Sequence, residues 1–138
     1  VVFSKESNDK FEILEGSHNG YVNKFKKIIK RKLVLDKKEN KIMGEDSIIS
    51  INKNSGDVIF HIRFHLNEKI VYSFTNNKKN IILKTKLNQI WVFKSDVGLI
   101  IEDSIIVDNN TTKPTKQIVI KGIIRGNKLS RKWSLEKM

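Results

Sequence analysis

The sequence holds three histidines and no cysteine, so the chemistry open to it turns on where those imidazoles fall. His18 lies in Gly16-Ser17-His18-Asn19-Gly20-Tyr21, a glycine-flanked, turn-like segment that leaves the ring free to face a partner. His61 and His65 share one side of the run 58–66 with Arg63, while Phe60, Ile62, Phe64 and Leu66 take the other. A ring so placed can carry a proton, hold a metal or simply hydrogen-bond at the surface, and spacing alone favours the last. No His-Glu-x-x-His run and no cysteine pair is present to mark a metal site. There is no glycine-rich phosphate loop and no Gly-x-Ser-x-Gly nucleophile turn, and Lys121-Gly122-Ile123-Ile124-Arg125-Gly126 lacks the dinucleotide-binding spacing. The chain carries no self-contained active site.

The elements that must position these rings are extended. Alanine, the best helix former, is absent, while isoleucine, valine, threonine and phenylalanine are frequent. Besides 58–66, strands are expected near 11–15, 25–35, 41–51, 69–75, 80–85, 89–94, 99–107, 116–124 and 129–136. Residues 24–33 also fit an amphipathic helix, with Phe25, Ile28, Ile29 and Leu33 at helical spacing, but strand is the preferred reading. Turns fall at Asn54-Ser55-Gly56-Asp57, Asn76-Asn77-Lys78, Asp108-Asn109-Asn110 and Gly126-Asn127, where Gly, Asn and Asp tolerate positive φ or bond their own backbone. Pro114, the lone proline, follows the polar run 108–113 and costs no central ladder bond. About ten strands exceed one small open sheet, so the expected fold is all-β, a two-layer antiparallel β-sandwich of about ten strands. It forms a single domain over 1–138 without an internal repeat.

With 138 residues, the chain is too short for a multidomain enzyme. No apolar stretch approaches the roughly 20 residues of a membrane-spanning helix, and none resembles the core of a signal peptide. Beginning at Val1 rather than Met, the chain is expected to be a piece of something longer. Its 27 Lys and Arg against 15 Asp and Glu give a net charge of +12, which draws polyanions of any kind. Abundant Lys, Asn and Ile without Ala is also the coding bias of an AT-rich genome, an equally good account of the charge. The cations are scattered except between residues 24 and 32, as on an ordinary solvated surface. A specific nucleic-acid barrel is disfavoured, because no exposed strand face carries a stacking ladder of aromatic rings.

Eight short motifs, read in order, resemble the C-terminal region of heparinase II/III-like proteins. They are Ser17-His18-Asn19-Gly20-Tyr21, Ile29-Lys30-Arg31-Lys32-Leu33-Val34-Leu35, Gly44-Glu45-Asp46-Ser47-Ile48, Ile62-Arg63-Phe64-His65-Leu66, Trp91-Val92-Phe93, Glu102-Asp103-Ser104, Gln117-Ile118-Val119-Ile120 and Trp133-Ser134-Leu135. The resemblance implies the β-sandwich of a protein whose N-terminal helical toroid is absent from this chain, with the cleft between the two. It implies β-elimination on an acidic, uronate-containing polysaccharide, met in the periplasm or cell envelope. That reaction needs a base beside the uronate carboxylate, groups that neutralise the carboxylate, and an acid for the departing glycosidic oxygen. In the family most catalytic residues come from the toroid. The imidazole that the sandwich can lend, two positions before the metal-binding histidine, is Gly16 here, so no catalytic residue is carried over and the domain alone is expected to be inactive.

The resemblance further implies a structural zinc ion held by His18, Asp36 and His65, with Asp46 a rival for the carboxylate position. Two neutral imidazoles and a carboxylate suit Zn²⁺. Asn19, Lys30 and Asn67 stand where the family usually has Asp, His and His, which removes groups that would orient the ligands. For the substrate, the resemblance places Tyr21 at the cleft and Arg31 and Arg63 as candidate forks onto a carboxylate. Trp91 and Trp133, in alternating strands, are expected in the core. The competing reading is a stand-alone carbohydrate-binding or structural β-sandwich without lyase activity, distinguished by whether a toroid precedes it.

Overall fold

The computed structural model describes residues 1–53 and 56–138. Residues Asn54 and Ser55 of the expected 54–57 turn lie outside the described residues. Among the described residues the chain forms eleven strands and one short helix. The first half contains β1 (Val2–Ser7), β2 (Phe11–His18), α1 (Val22–Phe25), β3 (Lys27–Asp36), β4 (Lys41–Ser50) and β5 (Val58–His65). The second contains β6 (Val71–Phe74), β7 (Asn80–Lys84), β8 (Ile90–Ser95), β9 (Ile100–Asp108), β10 (Thr111–Ile124) and β11 (Lys128–Lys137). They build two antiparallel layers, a large sheet ordered β1-β2-β3-β4-β11-β8-β7-β6 and a small one ordered β5-β10-β9.

The period-two pattern is realised most clearly in β5, where Phe60, Ile62 and Phe64 face inward and His61, Arg63 and His65 outward. Phe64 meets the large sheet between Phe93, at a ring-centroid distance of 4.8 Å, and Trp133, at 4.7 Å, while Phe93 and Trp133 stack at 5.7 Å. Such contacts add to what simple burial of the rings contributes. Around them Ile81, Leu83, Leu99, Ile118 and Ile120 close the core, and Trp91 packs against it as expected. Gly44 lies under Trp133, where a Cβ would sit 2.1 Å from the indole, so only glycine lets that ring reach the core. The expected turns at 76–78 and 108–110 carry positive φ at Lys78, Asn109 and Asn110.

Three local features differ from expectation. β1 is a strand that alternation does not reveal, because every one of its residues is exposed and β2 is its only strand partner among the described residues. Neither reading of 24–33 is complete, since a four-residue helix ends at Phe25, Lys26 turns left-handed at φ 55°, and strand begins at Lys27. β10 starts at Thr111 and runs through Pro114, which pairs with Ile105 of β9 in a stretch that β5 does not reach. The missing N–H therefore breaks no ladder between two neighbours.

Three strands cannot cover eight. The hydrophobic core draws on β5 to β11 and on nothing from β1, β2 or β3 among the described residues. The β1-β2-β3 flank therefore extends past the edge strand β5 and leaves a groove between them.

Candidate functional site

The groove encloses about 400 Å³. One wall is β5, of which six consecutive residues, 58 to 63, border it, so that the strand's main-chain edge and not merely one face is presented. The floor comes from the inward face of the large sheet. Antiparallel register lines up Gly16, Arg31 and Asp46 in one row across β2, β3 and β4, with His18, Ile29 and Ile48 in the next.

Arg31 is held in place from several sides. Its Nε donates to Asp46 Oδ1 at 2.6 Å and its Nη2 to Oδ2 at 3.0 Å, a two-point, charge-assisted pairing. Trp133 Nε1 donates to the same Oδ2 at 2.9 Å. The guanidinium also lies over the rings of Phe64, 5.5 Å from the centroid, and Trp133, at 5.8 Å. Asp46 is buried, its side chain 6% exposed, whereas that of Arg31 is 43% exposed. The pair therefore anchors the arginine from below and leaves its remaining N–H groups to the groove. Gly16, beside it in the row, has no side chain to fill the flank, and even a Cβ there would meet no atom nearer than 3.8 Å.

From the β5 wall, His61 Nδ1 lies 3.1 Å from Arg63 Nη2. Arg63 in turn stands 3.9 Å from Glu102, which pairs with Lys121 at 2.7 Å. The Lys121 hydrogen bond, with Arg63 and His61 adding positive charge, holds the Glu102 carboxyl below its ordinary value. At the base of the groove Lys27 is buried, its Nζ donating to Ser50 Oγ at 2.9 Å. Asp46 is the one carboxylate lining the groove among the described residues, and Arg31 and Trp133 already occupy its oxygens. The site is thus cationic and partly apolar.

Of the residues singled out from sequence, the structure gathers His18, Tyr21, Arg31 and Arg63 here, together with the rival carboxylate Asp46. His61, Lys27 and Phe25, which sequence reasoning did not select for the site, also line it. The implied zinc ligands His18, Asp36 and His65 do not come together in this structure. β3 returns antiparallel to β2, which sets Ile29 opposite His18 and Asp36 opposite Phe11. Asp36 lies seven steps along β3 from Ile29, roughly 23 Å at the usual rise. There the Asp36 carboxylate accepts the amides of Lys38 and Glu39 at 3.0 and 3.1 Å and shapes the turn into β4. His65 belongs to the outward face of the small sheet, its Nδ1 2.7 Å from Ser104 Oγ. His18 Nδ1 accepts the Gly20 amide at 3.3 Å. Among the described residues no three His, Asp or Glu side chains converge on a point where an ion could sit, so the residues present do not fit that metal.

The basic run 24–32 is likewise dispersed by the fold. Lys30 pairs with Glu15 at 2.7 Å, Arg31 turns inward to Asp46, Lys27 is buried, and Lys24 lies over the Phe25 ring.

The family model described as heparinase II/III-like, C-terminal, matches residues 1–133. No curated protein matches the chain. Among solved structures, the heparan sulfate lyase HepC from Pedobacter heparinus superposes with a TM-score of 0.82 at 11% identity, over 98% of this chain and 21% of that one. The crystal structure of a heparinase III gives a TM-score of 0.74 at 10% identity, over 98% of this chain and 20% of its own. At such identities the likeness is one of fold, and this chain spans about a fifth of the length of those proteins.

Proposed function

This chain belongs to the heparinase II/III-like C-terminal family, and on that premise we propose that it is the β-sandwich of a polysaccharide lyase-like protein, whose cationic groove receives an acidic, uronate-containing chain. The observation that carries the reading is the composition of the groove. His18, Lys27, Arg31, His61 and Arg63 surround it, and the single lining carboxylate among the described residues is already engaged by Arg31. Such a concavity concentrates anions, and an arginine fixed by Asp46 and two aromatic faces meets a ligand carboxylate with little loss of side-chain freedom.

In β-elimination the proton beside the uronate carboxylate is removed as negative charge grows on that carboxylate, so a pre-positioned cation contributes where charge develops. Arg31, with Arg63 on the opposite wall, would supply that neutralisation. Among the described residues nothing lining the groove combines a free base with a free acid at hydrogen-bonding distance, so base and acid would come from a preceding helical domain of the same protein, facing the open flank of β1–β3. Polymeric uronates are encountered outside the cytoplasm, which makes the periplasm or cell envelope the working compartment under this proposal.

The test is calorimetric titration of a glucuronate-containing oligosaccharide into the chain and into Arg31→Gln. Loss of a charge-assisted fork weakens binding about tenfold or more at low salt. Equal affinity in the two proteins, or no binding at all, would defeat the proposal.

A further inference from the structure

The β2–β3 connection carries two aromatic side chains that have no task in the core. Tyr21 is 48% exposed and Phe25 36%, and α1 buries none of its residues. Exposed aromatic rings are ordinarily loosely held, but here the main chain fixes where they start. Val22 N–H bonds Asn19 O at 3.0 Å, Phe25 N–H bonds Tyr21 O at 2.9 Å, and Lys26 N–H bonds Val22 O at 3.0 Å. Lys26 then closes the helix in the left-handed region and accepts the Ile51 amide at 3.0 Å, which ties the connection to the end of β4. The rings form a row with His18, whose centroid lies 5.4 Å from that of Tyr21, while Tyr21 lies 6.1 Å from Phe25. All three line the groove that also holds Arg31 and Lys27.

We propose that Tyr21 and Phe25 are a stacking shelf for the apolar C–H face of a sugar ring in the groove's ligand, next to the ring whose carboxylate Arg31 receives. The inference rests on the polysaccharide reading above and deepens it by dividing the groove into a charged part and an aromatic part. Sugars suit the shelf because a pyranose offers a flat C–H face and a polar rim, which matches exposed rings continuous with a cationic floor. Because the two rings are tilted by 53° to one another, each serves a different sugar or a different face, so they act in succession along a chain. Stacking is insensitive to ionic strength whereas pairing with Arg31 is screened, so salt separates the two contributions.

The experiment compares the wild-type chain with Tyr21→Ala, Phe25→Ala, the double variant, the size-preserving Phe25→Leu, and Arg31→Gln. A glucuronate-containing oligosaccharide is the probe, at low and at high salt, with ring-proton chemical shifts of the sugar read by NMR. The expected result is upfield shifts of the sugar's C–H protons with wild type, their loss in the double variant, and about a tenfold fall in the affinity that survives high salt. Phe25→Leu should reproduce part of the shift loss with unchanged thermal stability, which separates stacking from folding. If the oligosaccharide binds and Arg31→Gln weakens it while the aromatic variants match wild type in shift and affinity, the shelf is refuted and the polysaccharide reading stands. If wild type does not bind, both are refuted.

Discussion

Arg31 and Asp46 show how one residue pair links the core to the surface. Asp46 spends its oxygens on Arg31 and on the Trp133 indole, so a single buried carboxylate joins β3, β4 and β11 and orients the cation that faces the groove. Asp46→Asn should lower unfolding stability by about 1–3 kcal/mol in urea titration, because a buried acceptor is weakened beneath a retained guanidinium. The types of these residues were readable in the sequence, and so was the candidacy of Arg31 for a carboxylate. Their pairing was not, since it depends on which residues of β3 and β4 stand opposite each other. A strand's side-chain pattern fixes its faces, not its register with a distant neighbour. The same gap explains Asp36, which the family resemblance set beside His18 and the antiparallel return of β3 carries to the other end of the strand.

At the level of elements, β5 is where sequence and structure agree best. Its alternation is unbroken because one side meets the core at every second residue and the other meets none of it. Phe64→Ala should therefore cost about 3 kcal/mol in chemical denaturation, through the lost contacts with Phe93 and Trp133. His65→Ala, one residue on and on the outward face, should stay within about 0.5 kcal/mol of wild type. Comparable losses in the two would contradict the facing of the strand. β1 and α1 escaped notice for the opposite reason. Neither buries a residue, and periodicity reports only elements that face a core.

Across the whole molecule, cations outnumber acids, so the few carboxylates are shared. Glu136 receives Lys41 at 2.8 Å, Lys94 at 2.6 Å and the Ser134 hydroxyl at 3.0 Å. The hydrogen bond from Lys41, then that from Lys94, holds its carboxyl down to about 2 from the ordinary 4.5. A carboxyl depressed in the folded state stabilises fully above its unfolded value and ceases to do so as acid protonates it, so this contribution fades between about pH 4.5 and pH 2. Urea titrations at several pH values should show a steeper acid loss in wild type than in Glu136→Gln. Equal slopes would mean that the lysines do not act on this carboxyl. Glu136 belongs to β11, and that strand has another consequence. The large sheet consists of β1 to β4 on one side and β6 to β8 on the other, and among the described residues β11 alone bridges them, pairing with β4 and with β8. A ribosome delivering this polypeptide thus emits two half-sheets that cannot fuse until the eleventh strand emerges, and a nonsense codon ahead of Lys128 would leave them permanently apart.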